Sequence, residues 1–165
     1  MNITAMYFSG TGTTKKVTAA IADELTEIKI SQDETAADEN PGSIKADIKP
    51  WQRAEDIDCT PPAARREIYR FTPDDLVVFG VPVIAGRVPN VLLKFLDTLQ
   101  GGGALAVPVV LYGNRNFDDA LIELRNILQD RGFYAIGAAA FIGEHSFSRT
   151  LAAGRPDSSD MELSR

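Results

Sequence analysis

Apolar residues recur along this chain in two rhythms. Four short runs, residues 3–8, 75–81, 106–112 and 133–142, are almost continuously apolar and read as buried strands. Between them the spacing changes to that of helices. Val17, Ala20, Ile21 and Leu25 mark one over residues 13–25, and Val91, Leu92, Phe95, Leu96 and Leu99 a second over 89–99. Leu121, Leu124, Ile127 and Leu128 mark a third over 118–131. Pro89 stands in the first turn of the second helix, and Gly101-Gly102-Gly103 ends it. Asp118 and Asp119 lie where the dipole of the third helix favours acid, and Arg131-Gly132 closes it. Strands apolar on both faces, alternating with amphipathic helices, predict an α/β domain with a parallel sheet covered on both sides.

Two regions break this rhythm. Residues 31–54 are polar and contain Pro41-Gly42, so they are expected to be an insertion or mobile loop. The strand needed after the first helix is 27–30 or 56–60, and 56–60 is preferred. Residues 61–70, opened by two prolines, are expected to form a short helix. At the far end, residues 158–165 begin a helix that stops after about two turns. A sheet face left bare by so short a helix is expected to promote self-association, so both monomer and homodimer stay open.

Composition narrows the class. The chain has 165 residues, 44% hydrophobic and 24% charged, which suits one globular domain over 1–165. A net charge of -6 and a pI near 4.8 argue against nucleic acid as the main partner. The single cysteine, Cys59, excludes an intrachain disulfide and an iron–sulfur cluster of the chain's own. No apolar run approaches the roughly 18 residues of a membrane span, and with so short an N-terminus no signal peptide is expected. No membrane is expected as a partner, and the cytoplasm is the expected location.

The candidate chemistry begins where the first strand ends. Ser9, Gly10, Thr11, Gly12, Thr13 and Thr14 form a small, hydroxyl-rich turn leading directly into a helix. Such a turn presents backbone N–H groups at the positive helix end and holds a phosphate without a fixed cation. The same residues also suit an ordinary turn with a helix cap. A nucleotide P-loop would end in Gly-Lys-Ser/Thr, and a dinucleotide fingerprint would need a third glycine where Lys15 stands. Two more loops follow strands on the same edge, where open α/β sheets bind ligands. One contains Pro82, Val83, Ile84, Ala85, Gly86 and Arg87. The other contains Tyr112, Gly113, Asn114, Asn116, Phe117 and Asp118.

The first of these three loops resembles the phosphate loop of the flavodoxin superfamily, and the other two its isoalloxazine loops. The fuller patterns, residues 80–89 and 112–119 with Glu144-His145-Ser146 and residues 152–157, are similar to a narrower group. This is the EFR1 family, in which a flavodoxin-like domain precedes a bacterial-type ferredoxin domain. The resemblance spans residues 1–25 and 55–160. It departs at Ile84, where that family often has an aromatic, in the 31–54 segment, and in the lack of any ferredoxin part.

The resemblance implies a three-layer sandwich with a five-stranded parallel sheet of order 2-1-3-4-5 and a short last helix. It implies FMN as cofactor, with hydroxyls of Ser9, Thr11, Thr13 and Thr14 on the phosphate. Gly86 would allow a peptide flip toward the flavin N5, against the alternative of a plain turn glycine. Arg87 would hold its loop or face a partner. Phe117 would stack on the ring, against the alternative of a core residue capping the third helix. Tyr112, Asn114 and Asn116 would read the pyrimidine edge, although asparagine also serves turn geometry alone. Lys15 and Lys16 are candidates for long-range attraction or plain solvated lysines, and His145 is expected to be structural. The implied function is electron transfer with a redox protein partner, a ferredoxin or a reductase. The alternatives are an FMN-dependent NAD(P)H or quinone reductase, and an interaction module without cofactor.

Overall fold

The computed structural model describes residues 1–27, 51–113 and 115–164. Asn114, residues 28–30 of the alternative strand position and residues 31–50 of the polar segment lie outside the described residues. The elements run β1 (Asn2–Tyr7), α1 (Thr13–Glu27), β2 (Gln52–Arg53), β3 (Ile57–Asp58) and β4 (Asp75–Pro82). They continue with α2 (Asn90–Leu96), β5 (Leu105–Tyr112), α3 (Ala120–Asp130), β6 (Tyr134–Ala135), β7 (Ala139–Ile142) and α4 (Ser158–Leu163).

Among the described residues all strand pairs are parallel, and β1, β4 and β5 form the unbroken centre of the sheet. Each outer position is shared by two short segments. On one side β2 pairs with the start of β1 and β3 with its end. On the other, β6 and β7 pair with successive parts of β5. Taken by position the order is the expected one, but neither edge strand is continuous. Residues 52–53 therefore belong to the sheet rather than to an insertion, and the strand expected over 56–60 shrinks to Ile57–Asp58. Arg53 fixes this edge, donating from Nε to Asp23 on α1 at 2.7 Å and pairing with Asp56.

Alternation along the central strands supplies two cores. Val77, Phe79 and Val81 of β4 face α2 and α3, joining Leu92, Leu96, Leu124 and Leu128. Leu76 and Val78 face the other way, with Ile3, Ala5, Val17 and Ile21. Each fully buried side chain of this size contributes about 1.5–3 kcal/mol. Met161 of α4 adds to the second core, so α1 and α4 share that face. Among the described residues, no helix is long and apolar enough to cross a membrane.

The helix expected over 61–70 does not form. Only Ala64–Arg66 makes a single 3-10 turn, and Glu67 leaves the helical region at φ -76, ψ 152. The backbone around Tyr69 bonds elsewhere. The Tyr69 carbonyl accepts from Gln100 N–H at 3.1 Å, and Phe71 N–H donates to the Gln100 carbonyl at 2.9 Å. This extended path lets Tyr69 meet Phe95 edge-on, with ring centres 5.9 Å apart. Arg65 stabilises the turn by donating to the carbonyls of Cys59 and Thr60.

Helix α1 packs closely on β4 at Gly80. Gly80 has no room for a side chain, because an added Cβ would collide with the Thr18 hydroxyl and lie 3.0 Å from Thr14 Cγ2. Thr18 turns that hydroxyl back along the helix, donating to the Thr14 carbonyl at 2.8 Å. The start of α1 is thereby held against the carboxyl end of the central strands.

Candidate functional site

The carboxyl ends of β1, β4, β5 and β7 surround a cavity of about 580 Å3. Its walls come from four loops, those after β1, β4, β5 and β7, with buried Leu111 among the lining residues.

The first wall is the turn into α1. Gly10, Thr11, Thr13 and Thr14 line the cavity, while Ser9 and Gly12 do not. Ser9 holds the turn together. Its Oγ accepts from Lys15 N–H at 3.1 Å, and its own N–H donates to Thr60 Oγ1 at 2.9 Å. Gly12, at φ 87, provides the left-handed step that precedes the helix, and its carbonyl accepts from Lys16 N–H at 3.1 Å. Among the described residues, no protein group accepts from the N–H groups of Gly10, Thr11, Gly12, Thr13 and Thr14. A row of unpaired donors at the start of a 15-residue helix is an anion cradle. The neighbouring lysines are directed elsewhere. Lys15 Nζ lies 5.7 Å from the centre of the Tyr7 ring, and Lys16 Nζ donates to the Pro156 carbonyl at 3.1 Å.

The second wall contains Pro82, Val83, Ile84, Ala85 and Gly86. Ala85 and Gly86 both have positive φ, 52 and 75, and reciprocal hydrogen bonds join Ile84 to Arg87. This is the geometry of a type I′ turn, strained at Ala85 and relaxed at Gly86. The Gly86 carbonyl accepts from Asp119 N–H at 3.1 Å, so any flip of the following peptide has to break that bond. Arg87 lies outside the cavity and grips Glu123 of α3 with two hydrogen bonds of 3.0 and 2.7 Å. Val88 N–H adds a third at 2.8 Å. The Arg87 guanidinium and this backbone donor hold the Glu123 carboxyl below its ordinary value, against the opposing effect of burial.

Tyr112, Gly113, Asn116 and Asp118 supply the third wall, together with Arg115. The Asn116 carbonyl oxygen accepts from Phe117 N–H at 2.8 Å, which commits it to the turn. Asp118 is at φ 44. Phe117 does not line the cavity. It packs on the core beside α3, with its ring centre 5.7 Å from that of Tyr112. The aromatic that reaches the cavity from this loop is therefore Tyr112, backed by Phe117.

The fourth wall was largely missed by sequence reasoning. Gly143, Glu144, His145, Ser146 and Phe147 all line the cavity. His145 touches the third wall, since an added Cβ on Gly113 would lie 2.9 Å from His145 Cα. Its Nδ1 accepts from Phe147 N–H at 3.2 Å, which leaves Nε2 as the donating ring nitrogen. The available signal was position: these residues follow the last strand on the edge where the other loops emerge. Arg155 supports the segment by pairing with Asp160, whose carboxyl that guanidinium holds below its ordinary value.

Cys59 is fully buried, and burial followed by the nearby Asp58 charge pushes its thiol up to about 12. It is not a nucleophile at neutral pH. Among the described residues, no cluster of three His, Cys, Asp or Glu groups is arranged to hold a metal ion.

No protein-family model and no curated protein matches the chain. Solved structures do. A flavodoxin from the domain Archaea superposes with a TM-score of 0.59 at 14% identity, over 99% of this chain and 91% of that one. A flavodoxin from Streptococcus pneumonia TIGR4 gives 0.57 at 13% identity, over 99% and 92%. A flavoprotein from Lactobacillus acidophilus, solved in complex with FMN, gives 0.50 at 15% identity, over 84% and 92%. The chain has a flavodoxin-like α/β fold.

Proposed function

We propose that this chain is an FMN-binding electron carrier. The observation that carries the reading is the row of unpaired N–H donors at residues 10–14, opening into a cavity walled by three further loops. A phosphate is the anion such a cradle suits, and a flat heteroaromatic ring suits the remainder of the space. The fold shared with flavodoxins, and the FMN complex named for one flavoprotein neighbour, support this choice of ligand.

In this reading Gly10, Thr11, Thr13 and Thr14 hold the phosphate through N–H groups and hydroxyls. Their donors and the helix dipole meet its charge, because Lys15 and Lys16 are occupied elsewhere. Tyr112 offers the ring an aromatic contact on one side, and Ile84, 52% exposed, offers an aliphatic one. Once bound, FMN would supply the one- and two-electron redox chemistry, and the protein orients it and limits water access.

The partner is a redox protein, a ferredoxin or a reductase, because one buried cysteine cannot hold a cluster. With a net charge of -6, docking is electrostatic and weakens as salt rises. Titrating the protein with FMN tests the reading. Quenching of flavin fluorescence is expected at micromolar protein, and its absence would overturn the proposal. The exposed Ile84 at the cavity wall favours one further reading, a reductase that admits a small acceptor beside the ring. Bleaching of bound flavin by NADPH alone supports that reading; reduction only through a separate reductase supports the carrier.

A further inference from the structure

A second cavity of about 350 Å3 adjoins the first, and the two share Thr11, Glu144, His145, Ser146 and Phe147. What the second adds includes a cation, Arg149. Among the described residues no carboxylate pairs with Arg149. The acidic side chain of the wall, Glu144, is engaged by Gly154 N–H at 2.9 Å. Ser146 brings a hydroxyl, and the Nδ1 contact of His145 leaves its Nε2 as a donor. Phe147 is the most unusual member. The residue is 93% exposed, although it lines two concave spaces. An uncovered aromatic beside an unpaired guanidinium and hydroxyl donors is the set of groups that takes a nucleoside phosphate. The ring stacks on the base, and the guanidinium takes the phosphate oxygens in pairs.

We propose that this compartment binds a nucleoside monophosphate group, with its base on Phe147 and its phosphate on Arg149. The group arrives in one of two ways, as the distal half of a flavin dinucleotide or as a separate nucleotide. The first route passes over Thr11, which belongs to both cavities, so a diphosphate seated at residues 10–14 leads directly into the second space. The inference rests on the FMN reading for the occupant of the main cavity.

The test is calorimetric titration of the full chain with FMN, with FAD and with 5′-AMP, the last against both apo and FMN-loaded protein, in wild type and Arg149→Gln. Binding of FAD about tenfold or more tighter than FMN identifies the tethered source. Binding of 5′-AMP to FMN-loaded protein identifies the separate one. In either case Arg149→Gln weakens that binding about tenfold and leaves FMN affinity unchanged. FAD no tighter than FMN together with no 5′-AMP binding overturns the inference, as does an Arg149→Gln variant indistinguishable from wild type. The outcomes separate the two proposals. FMN binding without either gain leaves the flavin reading standing alone. Arg149-dependent 5′-AMP binding to a protein that ignores FMN sinks the flavin reading, and with it the tethered source, and supports the separate-nucleotide source alone.

Discussion

Gly80→Ala is the substitution that reaches the phosphate cradle without touching it. The added Cβ would occupy the space of the Thr18 hydroxyl and press on Thr14 Cγ2 at 3.0 Å, both buried at the centre of the molecule. Strand β4 is central in the sheet and cannot yield, so α1 must move outward. Overpacking of this kind costs about 1–3 kcal/mol. For a chain of this size that corresponds to a fall in Tm of about 2–12 °C. The same movement displaces Thr14, one helical turn before Thr18, and with it the N–H donors at residues 10–14. Loss of one hydrogen bond to a charged group, about 1.5–3 kcal/mol, weakens FMN binding about ten- to hundredfold. Thermal unfolding followed by circular dichroism measures the first effect, and flavin fluorescence titration the second. Thr18→Ala removes the colliding hydroxyl and leaves its Cβ at 3.1 Å, so the double variant should be more stable than the two single losses predict. Unchanged stability in Gly80→Ala, or strictly additive losses in the pair, would refute the reasoning.

Two further outcomes follow from side chains away from the cavity. Cys59 should resist iodoacetamide at pH 7–8 in the native protein and react once unfolded, because its thiol is buried and pushed up to about 12; rapid native labelling would contradict this. The ion pair of Glu123 with Arg87 gives an acid-side stability term. Because the folded carboxyl titrates below its ordinary value of 4.5, the contribution is full above that pH and is lost as pH falls through the lower folded value. Glu123→Gln should therefore flatten the acid-side decline in Tm below pH 4.5, and parallel declines in the two proteins would count against it.

The sequence carried the central half of the fold and the identity of three cavity walls, for a physical reason. Strands β4 and β5 are buried on both faces, so their residues are nearly all apolar and leave a continuous run. The α1 spacing is likewise imposed by a buried stripe, Val17, Thr18, Ile21 and Ala22. Edge segments carry no such mark. Gln52 is exposed and Arg53 half-buried, and they become strand only because β1 offers its backbone. Residues 61–70 have helical punctuation in their two prolines, yet bonding to Gln100 at Tyr69 and Phe71 prevails over it. Phe117 and Phe147 could not be ranked by type: one packs on the core and the other is bare, and only the paths of their loops decide which. Residues 144–146 follow the last strand, and nothing in their types alone gives reason to expect them at the cavity wall.

The bond from Asp119 to the Gly86 carbonyl has a mechanical consequence. Together with the Arg87–Glu123 grip it fastens the turn after β4 to the start of α3, so that two sides of the cavity behave as one fixed jaw. The adjoining side, residues 143–147, is fastened differently. It leans on Gly113 through His145, and the chain beyond it is tied to α1 by the Lys16 bond to Pro156. A ligand entering here would meet one side braced as a unit to α3 and another held through His145 and the Pro156 bond, so any adjustment is expected on the side that carries Phe147.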